Sequence, residues 1–127
     1  MATIEKFEDM EVWRLAREQA QSFFALCSGS LRSDFELRNQ MNASSGSVMD
    51  CIAEGFERSG RSELKNFLVM AKGSNGEYRS QLCRAADRDH ISNQMFAELC
   101  MKNQVLGRKL MALIRYTQKS KYNGQCR

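Results

Sequence analysis

The sequence predicts an all-α protein, an antiparallel up-down-up-down four-helix bundle, and three observations carry that prediction. The 127 residues include no proline. No segment sustains the period-two alternation of a strand. Four apolar stripes at three-and-four spacing are separated by short polar breaks, the pattern of helices packed on one core. A chain of this length is expected to form one domain.

The first helix is expected over about residues 9–27, with Val12, Ala16, Gln19, Phe23 and Leu26 in its stripe and Trp13 and Leu15 widening it. Ser28-Gly29-Ser30 is the natural stop. The second, over 34–58, opens on a capping box in which Ser33 accepts from the N3 amide and Glu36 reaches back. Its stripe is Leu37, Met41, Ser44, Val48, Cys51 and Gly55, broadened by Ile52 and Phe56, and it ends before Ser59-Gly60. Ser62 is the expected N-cap of the third, over 62–86, with Leu64, Leu68, Ala71, Asn75, Tyr78, Leu82 and Ala85 inward and Phe67 on the flank. Ser92 caps the fourth, over 93–119, which carries Phe96, Leu99, Asn103, Leu106, Leu110 and Leu113 before a polar basic tail at 120–127.

Small residues interrupt the second and third stripes, at Ser44-Ser45-Gly46-Ser47 and Gly73-Ser74-Asn75-Gly76. Glycine inside a helix costs roughly 1 kcal/mol against alanine, so these breaks suggest close approach of backbones or neighbours there. Asn75 and Asn103 stand at seam positions. Each either bonds across the core and fixes helix register, or faces a subunit contact or water.

Groups able to carry chemistry are few. His90 is the only histidine and falls in a connection, where a solvated surface residue is expected rather than a general base. The five cysteines, Cys27, Cys51, Cys83, Cys100 and Cys126, are scattered and never paired as Cys-x-x-Cys, which argues against a disulfide framework or zinc. The four within predicted helices, Cys27, Cys51, Cys83 and Cys100, read as small buried hydrophobes in a reducing cytoplasm. No phosphate loop or metal motif is present, so no catalytic residue, metal or cofactor is assigned. The N-terminus has no secretory signal pattern and no apolar run is long enough to span a bilayer, so a soluble cytoplasmic protein is expected. Glu54, inside the apolar run Ile52-Ala53-Glu54-Gly55-Phe56, needs a partner. Arg58 supplies one at i,i+4, the alternative being a bond to a neighbouring helix or subunit.

These residues carry a family resemblance. Ile52, Ala53, Glu54, Gly55, Phe56 and Arg58, followed by Ser62, Glu63, Phe67-Leu68, Ala71 and Gly73-Ser74, resemble the ribosomal-RNA intervening-sequence protein family, also called the four-helix bundle protein family. Phe7-Glu8-Asp9-Met10 with Val12-Trp13 resembles its N-terminal signature, and Leu37-Arg38-Asn39-Gln40 resembles the start of its second helix. The likeness spans about residues 6–91. Two departures stand out: Met49 replaces the family's helix proline and Cys51 its asparagine, and loss of the proline is expected to straighten the helix. The resemblance implies a small bacterial bundle without enzymatic activity. Through likeness to the accessory protein of diversity-generating retroelements, it also implies a homopentamer and a nucleic-acid partner.

Charge agrees with that partner. The net +4 conceals an asymmetry: residues 1–100 hold twelve Lys/Arg and fifteen Asp/Glu, while 101–127 hold seven basic residues and no acidic one. Arg108, Arg115 and Lys119 share one face by seven- and four-residue steps, Lys102 and Lys109 flank the apolar stripe, and Lys121 and Arg127 extend the charge. Such a face neutralises phosphates of RNA or DNA without reading bases, and Tyr116 and Tyr122 are candidates for stacking. The competing expectation is an oligomeric scaffold or adaptor that binds another protein, with Met70, Met101 and Met111 as adaptable contacts. No small-molecule substrate is evident in the sequence.

Overall fold

The protein is described by a computed structural model over residues 4–124, with residues 120–124 as helical backbone alone. A 3₁₀ turn at Phe7–Asp9 precedes α1 (Glu11–Leu26), and a second at Ser30–Ser33 precedes α2 (Phe35–Glu57). Then come α3 (Arg61–Asp87) and α4 (Asn93–Gly124). Cys126 and Arg127, and the side chains of Lys121 and Tyr122, lie outside the described residues.

Contacts between the helices set their directions. On α2 and α3, Gly55 meets Leu64 and Phe67, Ser47 meets Ser74, Ser44 meets Gln81 and Gln40 meets Arg84, so one number falls as the other rises. Glu11 pairs with Lys109 and Gln19 with Asn103, which runs α4 against α1. Within each of these two pairs the helices run antiparallel. The α2 helix continues unbroken through Met49 and Cys51.

Helix ends differ from the sequence reading where the chain makes unforeseen turns. Ser33 closes the 3₁₀ turn that buries Leu31, so α2 starts later, with Asp34 as its N-cap and no capping box. Gly60, rather than Ser62, is the N-cap of α3. Ser92 does cap α4, its Oγ accepting from the Met95 N–H at 3.1 Å. The α3 C-terminus closes with a 6→1 bond from His90 N–H to Ala85 O (2.9 Å) and a bond from Asp89 N–H to Ala86 O (3.0 Å). That geometry places Asp89 at φ 60°.

Two apolar clusters fill the bundle. One gathers Val12, Ala16, Val48, Ile52, Leu68, Leu106, Leu110 and Ile114, and the other Phe23, Leu31, Leu37, Met41, Tyr78, Leu82 and Ile91. Ile114, not Leu113, takes the buried position on α4. Polar side chains separate the clusters: Gln19, Asn75 and Asn103 bond one another, and on α2 the buried Ser44 donates to Gln81 of α3. The amide of Asn75 donates to the Asn103 carbonyl (3.1 Å), and that of Asn103 donates back to the Asn75 carbonyl (3.0 Å). Gln19 Nε2 donates to Asn75 Oδ1 (3.0 Å), and Asn103 Nδ2 donates to Gln19 Oε1 (2.8 Å). The two asparagines therefore bond across the core, and because every amide has partners, their burial at 2–3% exposure is tolerated.

The glycine interruptions divide into two kinds. A Cβ at Gly55 would stand 2.7 Å from Phe67 Cβ, so this glycine lets α2 and α3 close on each other. Gly107 does the same for the Asn75 amide, at 3.3 Å. Gly46, Gly73 and Gly76, by contrast, face space with nothing within 4 Å, so the expected close packing does not occur at them within this chain. Among the interruption residues it is Ser47 and Ser74 that meet, Oγ to Oγ at 3.0 Å.

Candidate nucleic-acid interface

The basic residues of α4 separate into two groups because a helix turns about 100° per residue. Asn103, Leu106, Leu110, Ile114 and Thr117 point inward, and Arg108, Arg115 and Lys119 are exposed on the far side. Lys102 and Lys109 face α1 instead. Lys109 Nζ lies 3.3 Å from Glu11 Oε1, and Lys102 lines the groove between α1 and α4. Tyr116 is exposed near Lys109 and Glu11, away from the Arg108 face.

The third helix supplies the cations that sequence reading missed. Lys72, Arg79 and Arg108 line one groove of about 370 Å³ between α3 and α4, together with Gly76, Gln104 and Gly107. No acidic side chain lines it, and these three cations have no ion-pair partner among the described residues. The small Gly76 and Gly107 open the groove, and the Asn75–Asn103 pair beneath it fixes the register that brings Lys72 opposite Arg108. The available signal was the seven-residue step Lys65, Lys72, Arg79, which marks one face of α3 but does not say which neighbour it meets. With Arg115 and Lys119 continuing along α4, the surface can neutralise several phosphates in a row.

The apolar corner between α2 and α3 has a mechanical explanation. Ile52 is fully buried, Ala53 and Phe56 are half-buried, and Gly55 admits Phe67. Glu54 is exposed and pairs with Arg58 at 2.8 Å, so the i,i+4 partner applies, and no other helix bonds it among the described residues. Arg58 also reaches Glu63 (3.5 Å) and lies 5.2 Å over the Phe67 ring, tying α2 to α3 across their turn. Trp13 is half-buried, edge-on to Phe7 at 5.1 Å, with Arg17 against its face. Gly73 is exposed, and Ser74 is held by Ser47.

His90 is not a solvated bystander. With its proton on Nε2 it donates to Asp34 Oδ2 (2.9 Å) and accepts from the Ser30 hydroxyl at Nδ1 (2.8 Å). Arg88 adds a 2.9 Å bond to the same carboxylate, so His90 and Arg88 together hold the Asp34 pKa down to about 2. This cluster clamps the α1–α2 connection to the α3–α4 connection. Sequence separations of 56 and 60 residues hid it.

Reactive thiols and metal sites find no support among the described residues. Cys27, Cys51 and Cys100 are half-buried and Cys83 is exposed, a departure from the uniformly buried set expected. Burial pushes the Cys27 and Cys100 thiols up, away from thiolate character. No group of three His, Cys, Asp or Glu is arranged to hold a metal. No described helix is long and apolar enough to cross a membrane.

Comparison with known proteins places this geometry in a family. The family profile described as 23S rRNA-intervening sequence protein matches residues 8–112. No curated protein matches the chain.

Proposed function

The chain belongs to the 23S rRNA-intervening sequence protein family, and from that premise we propose that it is a non-enzymatic, cytoplasmic nucleic-acid-binding protein that works as a homo-oligomer. The observation that carries this reading is the acid-free groove bearing Lys72, Arg79 and Arg108, continued by Arg115 and Lys119. Unpaired cations on two rigid helices attract phosphate backbones, release counterions and tolerate any sequence. RNA or DNA is the partner. Association is supported by exposed apolar side chains, Val69 (48%), Met70 (53%) and Phe24 (78%), and five copies are expected from the family resemblance.

The test is binding to structured RNA and to duplex DNA across a salt series, alongside light scattering for mass. Each phosphate contact contributes about 0.9 to the slope of log affinity against log salt on duplex DNA. Reversing Lys72, Arg79 and Arg108 to glutamate is therefore expected to flatten the slope by about 2–3 and to weaken binding strongly at low salt. Reversing Lys102 and Lys109 should do much less. Absence of binding at low salt, or affinity indifferent to the triple reversal, refutes the interface. A protein that associates and captures no nucleic acid points to the scaffold reading, for which the exposed Phe24 and Phe35 at one end of the bundle offer a surface.

A further inference from the structure

A second open groove, of about 620 Å³, lies where α1 gives way to α2. Phe24 of α1, Arg32 of the connecting turn, and Arg38, Asn39 and Asn42 of α2 line it, and no acidic side chain does. It shares no residue with the Lys72–Arg79–Arg108 groove, which lies between α3 and α4.

Two features of this lining point to the same kind of partner. Phe24 is 78% exposed, the most exposed of the large apolar side chains described. Besides the buried Phe23 and the half-buried Cys27, every other lining side chain is polar or cationic, so Phe24 is a single ring on a polar surface. The arginines are the other feature. Arg38 is held in place, its Nη1 donating to the Arg32 carbonyl (3.0 Å) and its guanidinium 4.9 Å over the exposed ring of Phe35. Neither Arg32 nor Arg38 pairs with a carboxylate among the described residues. Two cations without counter-charge attract a polyanion, and an exposed ring beside them accepts a flat π face.

We propose that this groove binds an unpaired stretch of nucleic acid, one base stacking on Phe24 while the neighbouring phosphates meet Arg32 and Arg38. The inference rests on the reading of the chain as a nucleic-acid-binding protein, and it adds a preference for single strands on a surface separate from the α3–α4 groove. In a duplex the base faces are covered by their neighbours in the stack, so only an unpaired nucleotide can lay its face on the ring. Asn39 and Asn42 are uncharged, and their amides can bond base edges without repelling phosphate. An apolar protein partner would need a wider dry patch than one ring among amides and cations provides.

Anisotropy titrations of the full chain at low salt test this with three probes: a thymidine octamer, an abasic octamer with the same phosphates, and a sixteen-base-pair duplex. The thymidine octamer should bind about five- to a hundredfold more tightly than the abasic one. Phe24→Ala should remove that difference and leave duplex affinity unchanged, and the exposure of the residue spares the fold. Arg32→Gln should lower the salt slope for the thymidine octamer by about 0.7. Charge reversal at Lys72, Arg79 and Arg108 should abolish duplex binding and keep the preference for bases over abasic sites, so the two surfaces fail separately. A preference that depends on Phe24 in a chain that ignores duplex refutes the α3–α4 groove and upholds this site. Equal affinity for the two octamers, a preference that survives Phe24→Ala, or one lost with the triple reversal overturns the proposal. So does absence of binding to the thymidine octamer, including the case in which Phe24→Ala lowers the mass by light scattering and marks the ring as a subunit contact.

Discussion

Replacing Gly55 with alanine tests the corner where α2 turns into α3. Alanine adds one methyl, whose carbon would lie 2.7 Å from Phe67 Cβ, 3.4 Å from Leu64 Cδ1 and 3.5 Å from Leu64 Cα. Carbon atoms prefer about 3.5–4.0 Å, so the two helices must part by roughly 1 Å at this point. Phe67 Cβ is fixed to its backbone and cannot rotate away, unlike the far end of a flexible side chain. Overpacking of this kind costs about 1–3 kcal/mol, and the better helix propensity of alanine returns up to about 1. A net loss of about 1–2 kcal/mol is expected, or roughly 3–8 °C in Tm for a chain of this size. Gly73→Ala is the matched control, because its Cβ meets nothing within 4 Å, and it should gain about 0.5–1 kcal/mol. Urea denaturation followed by circular dichroism at two protein concentrations measures both and separates folding from association. A Gly55→Ala protein as stable as the parent would refute the argument that this glycine exists to admit Phe67.

Three further perturbations probe other parts of the structure. Asn103→Ala leaves Gln19 Oε1 without its donor and empties the centre of the polar layer. It should cost about 2–4 kcal/mol, and adding Asn75→Ala should cost less than the sum, a coupling that a double-mutant cycle reads directly. Asp34 titrates lower in the folded protein than in the unfolded chain, so its clamp with His90 and Arg88 contributes fully above about pH 4 and is lost as pH falls towards 2. Asp34→Asn should flatten Tm against pH in that window, and an unchanged acid slope would count against the clamp. Ser59 sits at φ 54° beyond the end of α2, so Ser59→Gly should stabilise by about 0.5–1 kcal/mol in the same urea assay.

Much of the candidate site was half legible. The outward face of Arg108, Arg115 and Lys119 follows from steps of seven and four along one helix, a purely local relation. Its extension to Lys72 and Arg79 was not, because those residues lie about thirty positions away and join Arg108 only through the register of the Asn75–Asn103 pair. Lys102 and Lys109 flank the apolar stripe of α4, and the rotation of that helix turns them towards α1. For His90, the absence of a neighbour in sequence suggested solvent, while two connections fold together and give both ring nitrogens partners.

Helix type and the inward stripes are decided by interactions within about four residues, and so the sequence alone determined the four helices, the Ser92 cap, the Glu54–Arg58 pair and the polar seam positions of Asn75 and Asn103. The three-dimensional arrangement decided which glycines are crowded, how Gln19 joins the two asparagines in one polar network, and which cations of α3 meet Arg108. Those outcomes depend on the rotation and spacing of each helix against its neighbours. The free energy of packing side chains from distant parts of the chain sets both, and no local pattern encodes it.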